Sequence, residues 1–310
     1  MTYGRLHARL RRLEKWSQSR LEAEASLEAE ASAASLPIPR IDTWARHYLG
    51  SYLTRPFSGF HCWLVDELQS LHTRRGSRLA LVAPRGSAKS TWISLAYPLW
   101  AAVHRCEPYI LLISDTQSQA RLLLEAIKRE LEDNPPLAEA YPLVVRQGSP
   151  WGQDRIRLAN GVVIEALGTG AKIRGRRNRE DRPSLIIVDD PENEEQVISA
   201  LQRERSWTWF NGAVVNAGIP QTNILVLGTA LQRDCLVLRL TRTPGWEART
   251  FRAIENWPDR IDLWAGWEEL YVDVEDLTHE ANARMFYEQN RHGMDQGLCF
   301  FGPKERIFML

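Results

Sequence analysis

Two short stretches of this chain hold residue types suited to phosphate chemistry. The first is Ala83-Pro-Arg-Gly-Ser-Ala-Lys-Ser-Thr91, between the apolar run Leu79-Ala-Leu-Val82 and the segment Trp92-Ile-Ser-Leu-Ala-Tyr97. A strand, a tight loop and a helix opening on Lys-Ser-Thr is the layout of a phosphate-binding loop. Backbone N–H groups and a helix N-terminus hold phosphate oxygens, the Lys reaches the β- and γ-phosphates, and the hydroxyl after it meets Mg²⁺. Lys89 and Ser90 fit those two roles. Ala83, Pro84, Arg85, Gly86, Ser87, Ala88 and Thr91 complete the candidate nucleotide contacts. The pattern expects Gly where Ala83 and Ala88 stand, so only Gly86 is free to take a positive φ without penalty. A strand-to-helix turn rich in small residues would read the same way, and a second stretch decides between them.

That stretch is Ser184-Leu-Ile-Ile-Val-Asp-Asp-Pro-Glu192. A short β-branched run ending in acids reads as a buried parallel strand. In open α/β sheets, ligands bind beyond the carboxyl ends of the strands. Asp189 there would serve Mg²⁺ through water, and the next acid would position an attacking water. An Asp- and Pro-rich turn would also use these residues, but the two stretches in this order point together to a P-loop NTPase core. Gly228-Thr-Ala-Leu-Gln232 follows the strand Thr222-Asn-Ile-Leu-Val-Leu-Gly228. If that strand neighbours the acid strand, the Thr229 hydroxyl is a candidate sensor of the γ-phosphate; a glycine chosen only for turn geometry is the competing reading.

The elements that must hold these residues follow from periodicity. Pro39 to Arg75 reads as helical. Leu79–Val82 and Tyr109–Ser114 read as strands, Lys89–His104 and Gln117–Glu132 as helices, the latter closed by Pro135-Pro136. Arg155–Glu165 reads as a hairpin turned at Asn160-Gly161. Glu194–Ala217 reads as one long helix and Ala281–Met294 as a last one. Strands alternating with helices predict an α/β fold: a mostly parallel sheet with helices on both faces, preceded by a helical N-terminal extension. That extension, residues 1–38, contains Leu21-Glu-Ala-Glu-Ala-Ser26 repeated as Leu27-Glu-Ala-Glu-Ala-Ser32. These are strong helix formers, but a period of six drifts across helix faces; a coiled-coil or partner-docking role is the alternative to a solvated helix. Residues 39–270 form the expected ATPase domain and 271–310 a helical linker.

Composition sets limits. The 310 residues are 44% hydrophobic with a formal net charge of zero, so global charge favours neither nucleic acid nor membrane. No apolar run reaches the roughly 18 residues of a membrane span, and the N-terminus lacks the apolar core of a signal peptide. Cys62, Cys106, Cys235 and Cys299 are scattered, which predicts buried thiols in a reduced, cytoplasmic protein and no metal cluster. Most of the twelve tryptophans are expected in the core.

Three further features could carry chemistry. Lys172-Ile-Arg-Gly-Arg-Arg-Asn-Arg-Glu-Asp-Arg182 has six basic and two acidic residues between glycines. It reads as a mobile loop able to place an arginine at a neighbour's γ-phosphate or to hold DNA phosphates, against a merely solvated charged loop. His61 reads either as lining an adenine pocket or as a satisfied histidine. Of Asp259, Asp262, Glu268, Glu269, Asp273, Glu275 and Asp276, none ends a clear apolar strand, so a two-metal nuclease yields to helix-surface acids.

Taken in order, Ala83–Thr91, Ile113-Ser-Asp-Thr-Gln-Ser-Gln-Ala120, Ile173-Arg-Gly175, Leu185–Glu192, Val226-Leu-Gly-Thr-Ala230 and Ala283-Arg-Met-Phe-Tyr-Glu-Gln-Asn-Arg-His-Gly-Met-Asp-Gln-Gly297 resemble the ATPase domain of a tailed-bacteriophage terminase large subunit. The resemblance covers roughly residues 40–305. It implies ATP and Mg²⁺ as ligands, with Arg85, Lys89 and Ser90 at the phosphates and Asp189 on the metal side. The family commonly has Glu as the catalytic base, where this chain has Asp190; Asp190 is favoured by position, with Glu192 as the alternative. Gly228 and Thr229 match the motif that couples hydrolysis to movement. Arg174 matches an arginine that in some relatives acts on the next subunit. The resemblance further implies double-stranded DNA, a portal protein and a small terminase subunit as partners, a homo-oligomeric ring, no membrane, and work in the cytoplasm of an infected bacterium. Relatives usually continue into a nuclease, for which about forty residues after Glu269 are too few, so a motor without nuclease activity is expected. A degenerate ATP-binding remnant and a helicase-like remodelling ATPase are the alternative functions; the latter lacks a visible second motor lobe.

Overall fold

The computed structural model describes residues 38–300, except Leu143, Arg146 and Arg179, and leaves the side chains of Cys299 and Phe300 aside. The expected helix within residues 1–37 and the tail after Phe300 lie outside the described residues. Eight strands form one sheet in the order β3-β4-β5-β2-β6-β7-β1-β8. They are β1 Arg78–Val82, β2 Tyr109–Ser114, β3 Gln147–Trp151, β4 Arg155–Leu158, β5 Val163–Gly168, β6 Leu185–Asp189, β7 Asn223–Gly228 and β8 Glu247–Thr250. From β5 to β8 every pairing is parallel. The β3-β4-β5 edge is antiparallel. The fold is therefore the α/β type expected from the alternation of elements, with a P-loop arrangement at the end of β1.

The central strands are apolar along their whole length because both faces are covered. Every residue of β2, β5, β6 and β7 is buried. On one face Ala80, Val82, Leu111, Ile113, Val188 and Val226 pack with Phe210, Val214, Leu236 and Leu240. The intervening residues, such as Leu81, Ile110, Leu112, Ile187 and Leu227, are equally buried and by strand alternation face the other side.

The helices are α1 Ile41–Tyr48, α2 Gly59–Leu71, α3 Tyr97–Val103, α4 Gln117–Asp133, α5 Pro135–Ala140, α6 Glu194–Ile198, α7 Ala200–Trp209, α8 Leu236–Leu240, α9 Ile261–Val272 and α10 His279–Asp295. The helix entering α3 is π-helical over Thr91–Ala96, and α7 ends in a π-helical turn, Phe210–Val214. Such turns interrupt the regular ladder and concentrate at functional sites.

Several boundaries differ from the expectation. Pro39–Arg75 is two helices. Pro135 and Pro136 start α5 instead of only closing α4, because proline suits the first helical turn and Asn134 caps it through Leu137 N–H at 3.1 Å. The long helix expected over Glu194–Ala217 breaks at Ser199, which leaves the helical region and whose side chain caps α7. The hairpin at Asn160-Gly161 forms, with Gly161 at φ 89°. The strand β8 has no counterpart among the expected elements, because all four of its residues are exposed and show no alternation.

Of the eleven described tryptophans, Trp44, Trp92 and Trp100 are fully buried, fewer than expected; most of the others are half-buried, and Trp257 is exposed. Cys235 is buried as expected, but Cys62 is exposed and Cys106 only half-buried. Residues Ile254–Asn256 (β9) and Cys299–Phe300 (β10) pair as a small antiparallel ribbon. Beside it α9 and α10 pack through Trp264, Trp267, Phe286, Tyr287 and Met294. The acids Asp259, Asp262, Glu268, Glu269, Asp273 and Glu275 are exposed and Asp276 is half-buried, and among the described residues no group of His, Cys, Asp or Glu could hold a metal ion by itself. No described helix is long and apolar enough to cross a membrane.

Candidate nucleotide-binding site

The parallel register brings three strand ends together. Val82 is paired with Gly228, and Asp189 with Leu227, so β7 lies between the loop-bearing strand and the acid strand. Beyond these ends opens a cleft of about 600 Å³ lined by Arg85, Ser90, Asp115, Asp189, Asp190 and Thr229, among others.

The loop after β1 turns through two left-handed residues, Gly86 at φ 72° and Ala88 at φ 57°. The second is strained, since an L-residue with a Cβ rarely adopts this region. Successive turns of this kind point backbone N–H groups to one side and form anion-binding concavities. The Ser87 hydroxyl is buried without a partner among the described residues, an unmet polar atom inside the loop. Lys89 is buried as well, with its Nζ 3.3 Å from Asp190 Oδ2 and 3.4 Å from Thr229 Oγ1.

Asp189 closes β6 in a buried position. Ser90 Oγ donates to its Oδ1 at 3.1 Å and Ser94 Oγ to its Oδ2 at 2.6 Å. Burial, reinforced by the Asp190 charge, pushes its carboxyl up to about 6, while the two hydroxyls and Lys89 pull the other way. A carboxylate with that much uncompensated charge favours a cation. Together with the Ser90 hydroxyl it makes the oxygen-rich, single-carboxylate setting that suits Mg²⁺ held jointly with substrate phosphates. The residues present therefore fit Mg²⁺ and a nucleoside triphosphate.

Asp190 takes φ 43°. Asp and Asn tolerate this left-handed region better than longer side chains, which gives a physical reason for Asp at this position. Its Oδ1 accepts Thr229 N–H at 3.0 Å, and its backbone N–H donates to Leu227 O at 2.9 Å. The acid strand and the Gly-Thr turn are thus joined directly. A Cβ on Gly228 would stand 3.1 Å from Val237 and 3.5 Å from Asp190 Oδ1, so only glycine fits here without a shift.

Glu192 faces differently. It is buried, and its Oε2 accepts Leu236 N–H at 2.6 Å, so it holds the start of α8; burial raises its pKa. It lines the cleft wall but makes no contact with Lys89 or Thr229 like those of Asp190. Arg85 is exposed at the mouth and pairs with Glu194 at 2.8 Å. Arg174 is not brought into this cleft: it is exposed, and its Nε donates to Gly212 O at 2.9 Å. The charged loop that carries it is anchored instead of free. Arg176 is ion-paired with the buried Glu165, and Asn178 bridges Asp181.

Two contributors were not singled out for these roles. Ser94 lies four residues after Ser90, a spacing that places both hydroxyls on one helix face, so it could have been found. His61 sits under the loop, with its Nε2 3.1 Å from Ser87 O.

No protein-family model and no curated protein matches this chain. Among solved structures it is similar to the crystal structure of the HK97 bacteriophage large terminase, at 15% identity and a TM-score of 0.43. The match covers 79% of this chain and 50% of that one, so this chain spans about half the length of the protein it matches.

Proposed function

We propose that this chain is a Mg²⁺-dependent ATP phosphohydrolase. The observation that carries the reading is the convergence, at three adjacent parallel strand ends, of a buried lysine, a buried carboxylate bridged by two serine hydroxyls, and a second acid bonded to the Thr229 backbone. Lys89, the loop N–H groups and the Ser87 hydroxyl bind the phosphates. Ser90 and Asp189 hold the metal, which when bound neutralises charge on the phosphate oxygens. Asp190 orients water by accepting its proton at a carboxylate oxygen, and Arg85 adds positive charge at the mouth. Thr229 shares both Lys89 and Asp190, so a change at the phosphates reaches the end of β7 through two short contacts. Glu192 supports α8 and is the weaker candidate for the base.

At a finer level the reading is a DNA-translocating motor of the terminase type. The order of the six motifs supports it. Its partners would be double-stranded DNA, a portal protein and a small terminase subunit, with the chain working as a ring in the cytoplasm of an infected bacterium. DNA contact would be phosphate-directed and lost with added salt; the exposed Lys172, Arg174 and Arg177 are the side chains offered for it. Arg174 lies outside its own chain's cleft, as an arginine serving a neighbouring subunit would.

A second reading, an ATP-binding protein without turnover, is favoured by one feature, the strained Ala88 in the loop. Steady-state ATP hydrolysis with and without linear duplex DNA separates the two. Turnover stimulated by DNA and abolished by Lys89→Ala and Asp190→Asn supports the motor. ATP binding without turnover supports the second reading, and turnover lost with Glu192→Gln but kept with Asp190→Asn moves the base to Glu192.

A further inference from the structure

His61 was singled out in the sequence, and the proposed chemistry leaves it unused. It lies in the first turn of α2, and Ser58 precedes that helix as its cap. Its Nδ1 receives the Ser58 N–H at 3.1 Å, and Ser58 Oγ lies 2.9 Å from the same nitrogen. A backbone N–H can only donate, so Nδ1 is the acceptor. The neutral ring then carries its proton on Nε2, which donates to Ser87 O at 3.1 Å. The ring is packed between Phe57 and Phe60, at centroid distances of 5.8 and 5.1 Å. Burial lowers its pKa, in keeping with a neutral ring.

The carbonyl it holds belongs to the peptide joining Ser87 to Ala88. In a planar trans peptide the N–H points opposite to the C=O. Fixing Ser87 O toward His61 therefore fixes the Ala88 N–H on the side away from it. Ala88 is also the residue whose φ of 57° costs energy for a side chain with a Cβ. Strained backbone of this kind persists only where neighbouring contacts over-determine it. With Gly before Lys89 the loop would reach this shape unaided; with Ala it needs an external hold.

We propose that His61 is a positioning residue for the phosphate loop: by bonding Ser87 O it keeps the Ala88 peptide oriented for phosphate and compensates for the missing glycine. The proposal rests on the nucleotide reading above. It replaces the expectation that His61 lines an adenine pocket.

The test uses the full chain in five forms: wild type, His61→Ala, His61→Gln, Ala88→Gly, and His61→Ala combined with Ala88→Gly. A Gln amide offers an acceptor and a donor about as far apart as the two ring nitrogens. Calorimetric titration with Mg·ATP should show affinity falling about five- to tenfold in His61→Ala, the loss of roughly one net hydrogen bond. His61→Gln should recover most of it. In the Ala88→Gly background, His61→Ala should cost less than half as much, since the two residues act on one peptide. Hydrogen exchange measured without nucleotide should speed up at Ala88 and Lys89 in His61→Ala, with β2 unchanged. Equal ATP affinity of wild type and His61→Ala would overturn the proposal. Equal losses in His61→Gln and His61→Ala would also overturn it, because packing of the ring would then be the cause. A folded wild type that binds no ATP, yet shows the loop exchange effect, would defeat the nucleotide reading and leave the clamp standing; unchanged loop exchange would defeat the clamp whatever ATP does.

Discussion

The two edges of the sheet bury carboxylates in opposite ways. At the edge where the strands begin, Glu107 is 1% exposed and meets Arg75, whose Nη2 is 3.1 Å from Glu107 Oε2 and 3.0 Å from Ser184 O. Within β5, Glu165 is paired with Arg176 and accepts the Tyr109 hydroxyl. Each buried negative charge there has a guanidinium. At the edge where the strands end, Asp189 is just as buried but is bonded by two neutral hydroxyls, with the nearest cation, Lys89, set against Asp190 instead. Backbone strain follows the same division: of the three described non-glycine residues at positive φ, Ala88 and Asp190 are at this edge. A carboxylate with its own arginine is finished structure, whereas Asp189 is left short of positive charge at a strained edge, charge that the proposed metal would supply.

Substitutions can break this contrast. The largest effect is expected from Asp190→Asn. Asparagine keeps the shape and tolerates the left-handed backbone, so the melting temperature should barely move while ATP turnover falls by about 10²- to 10⁴-fold, the usual scale for losing a general base. A parallel loss of folding would show that Asp190 is structural. Next comes Arg75→Ala, which strands Glu107 as an unpaired buried charge and should cost about 3 kcal/mol in a denaturant titration, with no change in KM for ATP. A milder cost would mean that Glu107 takes up a proton or meets water.

A pH titration sharpens the contrast further. The Asp189 carboxyl is raised to about 6 by burial and by Asp190, so below that pH it carries a proton that Mg²⁺ must displace. Metal affinity should therefore rise as pH increases through about 6 and level off above it, as read by Mg²⁺ titration of ATP binding. The sign for stability is opposite. A carboxyl raised in the folded state favours the fold while protonated, and that contribution fades as pH climbs from its unfolded value toward 6. The smallest effect is expected from Ala88→Gly. Relief of the left-handed strain and the greater freedom of glycine in the unfolded chain nearly cancel, so stability should stay within about 1 kcal/mol of wild type and not fall. The same change at Ala101, inside α3, should destabilise by at least about 1 kcal/mol. Similar losses at both positions would mean that Ala88 is not strained.

Much of the site was legible because it is built from local signals. The loop, the acid strand and the Gly-Thr turn each occupy fewer than ten consecutive residues, and each follows an apolar run whose period marks a strand. The hairpin at Asn160-Gly161 was legible for the same reason. The edge strand β8 was not, since Glu247–Thr250 is exposed throughout and has no burial pattern to read. The break at Ser199 was hidden because an amphipathic stretch can continue or stop at a serine, and which one it does depends on what the flanking faces pack against.

By itself, the sequence determined that the loop carrying Lys89, a pair of acids and a threonine would stand at strand ends of an α/β sheet, because strand periodicity and loop chemistry act over a few residues. Only the tertiary structure decided that β7 inserts between β1 and β6, that Asp190 faces Lys89 while Glu192 turns to the start of α8, and that Arg174 stays outside the cleft. It also decided that His61, 26 positions before Ser87, holds the loop from below. These outcomes depend on sheet order and on contacts between residues far apart in the chain, and no local pattern encodes either.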